Sequence, residues 1–300
     1  MTKGEKIGGS LTDAYSFRTG LIRSQDTGYL LGFDDKRVDD LPHSILFVLK
    51  NNQWASKPFN WAAHAMVLTY FPEPTLIMIG KSKKVMIGKV DGFTEEDIPF
   101  VSDDADLRGI AEINGYAYIC GMFGQVYKRE AARKWIKKNK GLPLDGADTA
   151  DLESIHGFSE TDIYAVGWEG CIWHYDGKCW NAVKSPTTFV LTRVLCAPDG
   201  YVYACGLGGV LLKGKDKKFG IIHQDITEAD FWSLVFFKDE IYVSTSSFLY
   251  KLKNDVLKLV HFDEDAPDTC YHLSVADGLM WSIGSKDVMC FNGKKWKRVE

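Results

Sequence analysis

The sequence predicts an all-β protein, a seven-bladed β-propeller with four antiparallel strands per blade. Three observations carry this. Short runs of aromatic and aliphatic residues recur, ending at Gly32, Gly80, Gly121, Gly167, Gly206, Thr245 and Gly284. Successive anchors are 48, 41, 46, 39, 39 and 39 residues apart, and a period of about 40 marks a repeat architecture. An apolar residue then follows 12 to 14 positions after six of these anchors: Phe93, Trp135, Trp180, Phe219, Leu257 and Trp296.

The elements follow in order. In the first unit "GYLLG" ends at Gly32, and Trp54 is the second anchor, delayed by an insertion around Asp34–Ser44. The second unit is marked by "LIMIG" at 76–80. In the third, "RGIAEINGY" at 108–116 leads into "YAYICG". The stretch "KREAARKWIKKNK" at 128–140 has a composition that allows a helix, but the unit register makes its start a C–D hairpin and puts Trp135 in strand D.

The fourth unit is the best preserved: strand A at about 153–157, B at 162–167, C at 170–175 and D starting near Lys178. "SETD" and the Asp-Gly pair of "YDGK" form its turns, the latter a strong hairpin signal. Ile163–Val166 is apolar throughout, as a middle strand covered on both faces by neighbouring blades should be. The fifth, sixth and seventh units open on "TRVLCAPDGY", "WSLVFFKDE" and "YHLSVADGL". The blades are expected at roughly 11–60, 61–93, 105–140, 151–183, 190–222, 230–260 and 270–300, within one domain spanning 1–300. Residues 1–10 are expected to be disordered or to extend an edge strand. The last unit holds all four strands, so the N-terminus is not needed to complete it.

The chain has 300 residues, 45% hydrophobic and 25% charged, with a net charge of −4. That profile fits a soluble globular protein and argues against a general nucleic-acid binder. No apolar run reaches the roughly 18 residues of a membrane span, and the N-terminus lacks the apolar stretch of a secretory signal. The cytoplasm is the expected location. Seven cysteines without a CxxC pair read as small core residues.

"SETDIYAVGWEGCIWHYDGKCW" resembles a blade of the bacterial β-propeller repeat proteins. Their units run S-x-x-D-I-Y-A-V-G-x-x-G-x-I-x-H-Y-D-G-x-x-W. The matching residues are Ser159, Asp162–Gly167, Gly170, Ile172, His174–Gly177 and Trp180. The tryptophan-aspartate repeat propellers are more distant, since their Gly-His and Trp-Asp dipeptides are absent. The resemblance implies the fold and hardly constrains function.

No specific catalytic grouping is present. "GLGG" at 206–209 reads as a B–C turn, because no helix follows and Lys is misplaced for a phosphate loop. The seven histidines show no metal-ligand spacing, and neither cofactor nor metal is expected. His174 belongs to the repeat motif and reads as structural. His64, Arg108, Arg193 and His272 lie near the starts of A strands, where they would line the axial channel.

Charge by loop carries more information. Four windows assigned to D–A loops are acidic and hold no Lys or Arg: Glu95–Asp106, Asp145–Glu153, Asp225–Asp230 and Asp263–Asp268. The C–D turns are assigned the opposite sign, with basic stretches at 128–130, 213–218 and 292–297. This predicts one acidic and one basic face. Trp135, Trp180 and Trp296 recur at one register and read as blade packing, as does Trp173. Trp168 does not recur and sits in a B–C loop.

The expected function is therefore non-catalytic protein binding, most specifically as a cytosolic bacterial immunity protein that blocks a basic toxin such as a nuclease. The expected partner-binding residues are Trp61, Asp103, Asp104, Asp106, Asp151, Trp168, Glu169, Asp230, Trp232, Asp265 and Asp268. The chain is expected to bind no nucleic acid directly and no membrane, and to be a monomer before binding. The alternatives are a hydrolase or lyase using an axial pocket with Arg108, Arg193 and His272, and an assembly scaffold.

Overall fold

The computed structural model describes residues 5–6, 9–37, 42–89, 92–101, 106–144, 150–262 and 264–300. Its strands form seven antiparallel sheets, the blades of a seven-bladed β-propeller, each a four-strand meander in chain order. Blade 1 is β2 (Tyr15–Ser24), β3 (Thr27–Asp34), β4 (Ser44–Lys50) and β5 (Gln53–Phe59), and β1 (Glu5–Lys6) pairs onto the edge of β5. Blade 2 is β6 (Ala63–Thr69), β7 (Thr75–Gly80), β8 (Lys84–Lys89) and β9 (Gly92–Asp97). Blade 3 is β10 (Leu107–Ile113), β11 (Tyr116–Gly121), β12 (Gln125–Ala131) and β13 (Lys134–Lys137). Blade 4 is β14 (Leu152–Ser159), β15 (Asp162–Gly167), β16 (Ile172–Tyr175) and β17 (Trp180–Val183). Blade 5 is β18 (Leu191–Cys196), β19 (Val202–Gly206), β20 (Leu211–Lys215) and β21 (Lys218–Ile221). Blade 6 is β22 (Ser233–Phe237), β23 (Glu240–Ser244), β24 (Leu249–Lys253) and β25 (Val256–Leu259). Blade 7 is β26 (His272–Ala276), β27 (Leu279–Ile283), β28 (Val288–Phe291) and β29 (Trp296–Arg298).

The fold class is the one the repeat period predicts. The helix-compatible stretch at 128–140 is strand, turn and strand, with Trp135 buried in β13. Ile163, Tyr164, Ala165 and Val166 are all buried, as a strand packed on both faces requires.

The recurring glycine has a physical cause, seen at Gly167. Its backbone is extended, and a Cβ there would lie 1.9 Å from the Asp151 carbonyl oxygen. The D–A loop thus passes directly over the end of strand B, which leaves no room for a side chain. The next residue completes the contact: Trp168 N–H donates to that same oxygen at 2.9 Å. The pattern repeats with Leu207 N–H on Val190 O and Met122 N–H on Asp106 O, both at 3.0 Å.

The chain divides into two compact units, Met1–His64 with Trp232–Glu300, and Ala65–Phe231. In the first, Phe17, Phe47, Trp281 and Ile283 share one core, and Phe237, Tyr242 and Leu273 share another. Blade 7 joins blade 1 through Phe17 N–H on Ser285 O at 2.8 Å and Ile22 N–H on Ser274 Oγ at 3.1 Å. Ser233 of blade 6 likewise accepts from Leu273 N–H of blade 7 at 3.1 Å.

The second unit uses the same device: Ser154 Oγ of blade 4 accepts from Val194 N–H of blade 5 at 3.2 Å. Trp180 buries its ring against blade 3 and donates its indole N–H to Lys138 O at 2.6 Å. Here three charge assignments are corrected. Of the basic stretch at 213–218, only Asp216 and Lys217 form the turn, with Lys213 and Lys215 in β20 and Lys218 in β21. Glu95, Glu96 and Asp97 belong to strand β9, not to a loop, and Lys128–Glu130 belongs to strand β12, not to a turn. Glu96 and Arg129 form a buried pair across blades 2 and 3, with Arg129 Nη2–Glu96 Oε1 at 2.7 Å and Arg129 Nε–Glu96 Oε2 at 3.0 Å. Trp135 Nε1 and Arg133 N–H also donate to this carboxylate. Burial opposes its ionisation, but the Arg129 contact and these hydrogen bonds outweigh burial and hold it below the usual carboxylate range.

Candidate functional site

The side of the second unit carrying the B–C and D–A loops is built on a repeated tip. After three of its strand-B glycines, Gly121, Gly167 and Gly206, comes one ordinary residue, then two with left-handed backbone: Phe123–Gly124, Glu169–Gly170 and Gly208–Gly209. Asn and Asp tolerate that conformation far better than Phe or Glu. The turn aims the tip residue outward, so Phe123 is 56% exposed and Trp168, just before its own tip, 46% exposed.

Trp168 is nonetheless fixed. Its indole N–H donates to Glu153 Oε1 at 2.7 Å. Glu153 stands at the start of β14, with Arg108 Nε of blade 3 at 3.8 Å from the same oxygen, and Arg108 Nη2 pairs with Asp106 at 2.5 Å. The register irregularities at Leu107/Gly109 and Leu152/Ser154 fall at Arg108 and Glu153, and bulges of this kind re-aim side chains.

Two of the acids have specific local tasks. Asp151 Oδ1 accepts from Phe123 N–H at 2.8 Å, while its carbonyl accepts from Trp168 N–H. One residue therefore ties two exposed aromatic tips together. Asp230 Oδ1 accepts from Gly208 N–H at 2.8 Å. The Phe189 ring packs over Gly208, and the Thr187 carbonyl lies over Gly170. Phe123, Trp168, Phe189 and Gly208 thus belong to one connected stripe of loops, all within the second unit.

The other expected site residues fall as follows. Glu169 is exposed at its tip, and Asp106 is half-buried against Arg108. Asp103 and Asp104 lie outside the described residues, as do Asp145, Asp148 and Asp263. In the first unit, the half-buried Trp61 accepts from Ser44 Oγ through its carbonyl, and Trp232 is 38% exposed. Asp265 is engaged by Arg298, whose guanidinium hydrogen-bonds hold its carboxyl below the usual range. Asp268 is exposed, and its N–H donates to Asp287 Oδ2. His64 and His272 lie in A strands of the first unit, Arg108 and Arg193 in A strands of the second. Burial lowers the Arg193 pKa, and this side chain sits in the field of Cys120, Cys205 and Glu153. Sequence reasoning missed Phe123, Leu144 and Ile226 as exposed apolar positions. The signal for Phe123 was its alignment with Glu169, two residues past the repeat glycine.

Among the described residues, no group of three or more His, Cys, Asp or Glu could hold a metal ion. No described helix is long and apolar enough to cross a membrane.

No protein-family model matches the chain. The immune protein Tsi7 of Pseudomonas aeruginosa is 36% identical over 303 residues, covering 97% of this chain and 99% of that protein. Among solved structures, the WD40 β-propeller domain of Doa1 superposes with a TM-score of 0.65 at 10% identity, over 99% of this chain and 95% of its own. The extracellular domain of the two-component system BT4673 from B. thetaiotaomicron gives a TM-score of 0.67 at 14% identity. It matches 95% of this chain, which spans 39% of that larger one. These likenesses show the fold alone.

Proposed function

The chain belongs to the family of the immune protein Tsi7, and from that membership we propose that it neutralises a toxin with a basic surface, such as a nuclease, in the cytoplasm. It is an immunity protein on a propeller scaffold, and its role is binding, not catalysis. The full-length similarity is the observation that carries this reading. The basic character of the toxin is supported by the loop acids. Glu169, Asp225 and Glu228 are exposed, and clustered negative charge accelerates encounter with a positive partner. The chain meets its toxin as a monomer.

Co-expression with candidate nuclease toxins tests the proposal. Survival of the host, together with a complex that weakens between about 50 mM and 500 mM salt, is the expected result. A toxin that is not basic, or a complex indifferent to ionic strength, overturns the basic-partner reading.

A further inference from the structure

We infer that the toxin docks on an aromatic stripe formed by Phe123, Trp168 and Phe189, and that Asp151 and Asp230 are positioning residues that hold its loops rather than contacts to the partner. The inference rests on the reading of the chain as a toxin-binding protein and divides that surface into two jobs.

The division follows from what each acid does. Asp151 Oδ1 is occupied by Phe123 N–H, and Asp230 Oδ1 by Gly208 N–H, beneath the Phe189 ring. A carboxylate accepting a backbone N–H makes a strong, charge-assisted bond. Asp106 is likewise committed to Arg108. Three of the acids expected to meet the partner, Asp106, Asp151 and Asp230, are thus internal supports. Glu169, Asp225 and Glu228 are instead exposed. They stand beside the apolar tips and supply the charge.

Phe123, Trp168 and Phe189 expose 56%, 46% and 54% of their surface. Large aromatic rings held rigidly at a surface and bordered by charge are the composition of interface hot spots. Trp168 is the best held of the three, through Glu153. The occupant that fits is a toxin presenting an apolar patch bordered by Lys and Arg, since the exposed acids Glu169, Asp225 and Glu228 outnumber the exposed Lys184 along these loops.

The test uses the full-length chain and the purified toxin whose killing it suppresses. Asp→Asn keeps an acceptor oxygen and removes the charge, whereas Asp→Ala removes both. Asp151→Asn and Asp230→Asn should bind within about threefold of wild type, and the alanine variants about tenfold or more weaker. Trp168→Ala should weaken binding by roughly 30-fold or more, as hot spots do. Phe123→Ser and Phe189→Ser, at exposed positions where folding is not at stake, should each lose about tenfold. Glu169→Gln with Asp225→Asn and Glu228→Gln should flatten the salt dependence while binding remains sensitive to Trp168→Ala.

Asparagine variants as weak as the alanine variants would make the acids direct contacts and overturn the positioning role. Wild-type affinity in Trp168→Ala and both serine variants would overturn the stripe. Failure of the wild-type chain to neutralise any toxin would instead sink the toxin-binding reading itself.

Discussion

Glu153 Oε1 accepts the indole N–H of Trp168 at 2.7 Å, and this one bond turns an exposed loop tryptophan into a fixed feature. A tryptophan that is 46% exposed would otherwise sample several rotamers and lose that freedom on binding, at a cost of about 0.5–1.5 kcal/mol. Glu153→Ala is therefore expected to weaken toxin binding a few-fold, although Glu153 lies beneath the tip. The same variant should shift the Trp168 indole N–H resonance and lower its order parameter. Unchanged relaxation at that resonance would show that Glu153 does not hold the ring.

Glu96 and Arg129 give the stability prediction. Both are buried, and Glu96 accepts from Arg129, Arg133 and Trp135. Glu96→Ala leaves a buried guanidinium without its counter-charge and should cost about 3–5 kcal/mol. The paired replacement Glu96→Leu with Arg129→Met should recover much of that loss, measured by urea denaturation. A double variant no better than the single one would mean the pair is needed for its geometry.

His156 gives the pH prediction. Burial first, then the Arg193 charge, pushes its pKa down to about 4 from an ordinary 6.5. Its Nδ1 accepts from Cys196 N–H at 3.2 Å, a role open only to an unprotonated nitrogen. The folded state therefore binds fewer protons than the unfolded chain, so stability rises with pH through this window. It should be fully present above pH 6.5 and fall between 6.5 and 4, before most carboxylates titrate. Thermal melts across this range should show the loss, and His156→Gln should flatten it.

Glu169 gives a prediction in which stability and function oppose each other. It holds a left-handed backbone, φ 53°, where glycine carries no steric penalty. Glu169→Gly should leave stability unchanged or raise it by up to about 1 kcal/mol, while slowing association with the toxin at low salt. Faster association in the glycine variant would remove Glu169 from the docking surface.

The fold was legible because its cause is local and repeated. A carbonyl pressed onto Gly167 allows no other residue, and the same constraint recurs at Gly121 and Gly206. Trp135 and Trp180 were legible for the same reason. The acidic stretches were read less well. Glu96 pairs with Arg129, 33 residues away on the next blade, and nothing in either segment distinguishes that pair from solvated charge. Asp151 and Asp230 reveal their tasks only when the D–A loop is seen lying against a B–C tip. Their spacing from Phe123 and Gly208, 28 and 22 residues, follows no motif. Trp168 was legible as an exception to the repeat, whereas Phe123 becomes legible only when the blades are aligned and it falls on the tip position of Glu169.

The clamp between the Asp151 carbonyl and Gly167 has an engineering consequence. It seals strand B at its end, so the side chains of Trp168 and Glu169 leave the packed blade between strands B and C, while Gly170 stays pinned under the Thr187 carbonyl. A chimera carrying a relative's residues at positions 168 and 169 should keep its melting temperature and exchange its toxin. In that sense the glycine separates the chassis of each blade from its interchangeable cartridge.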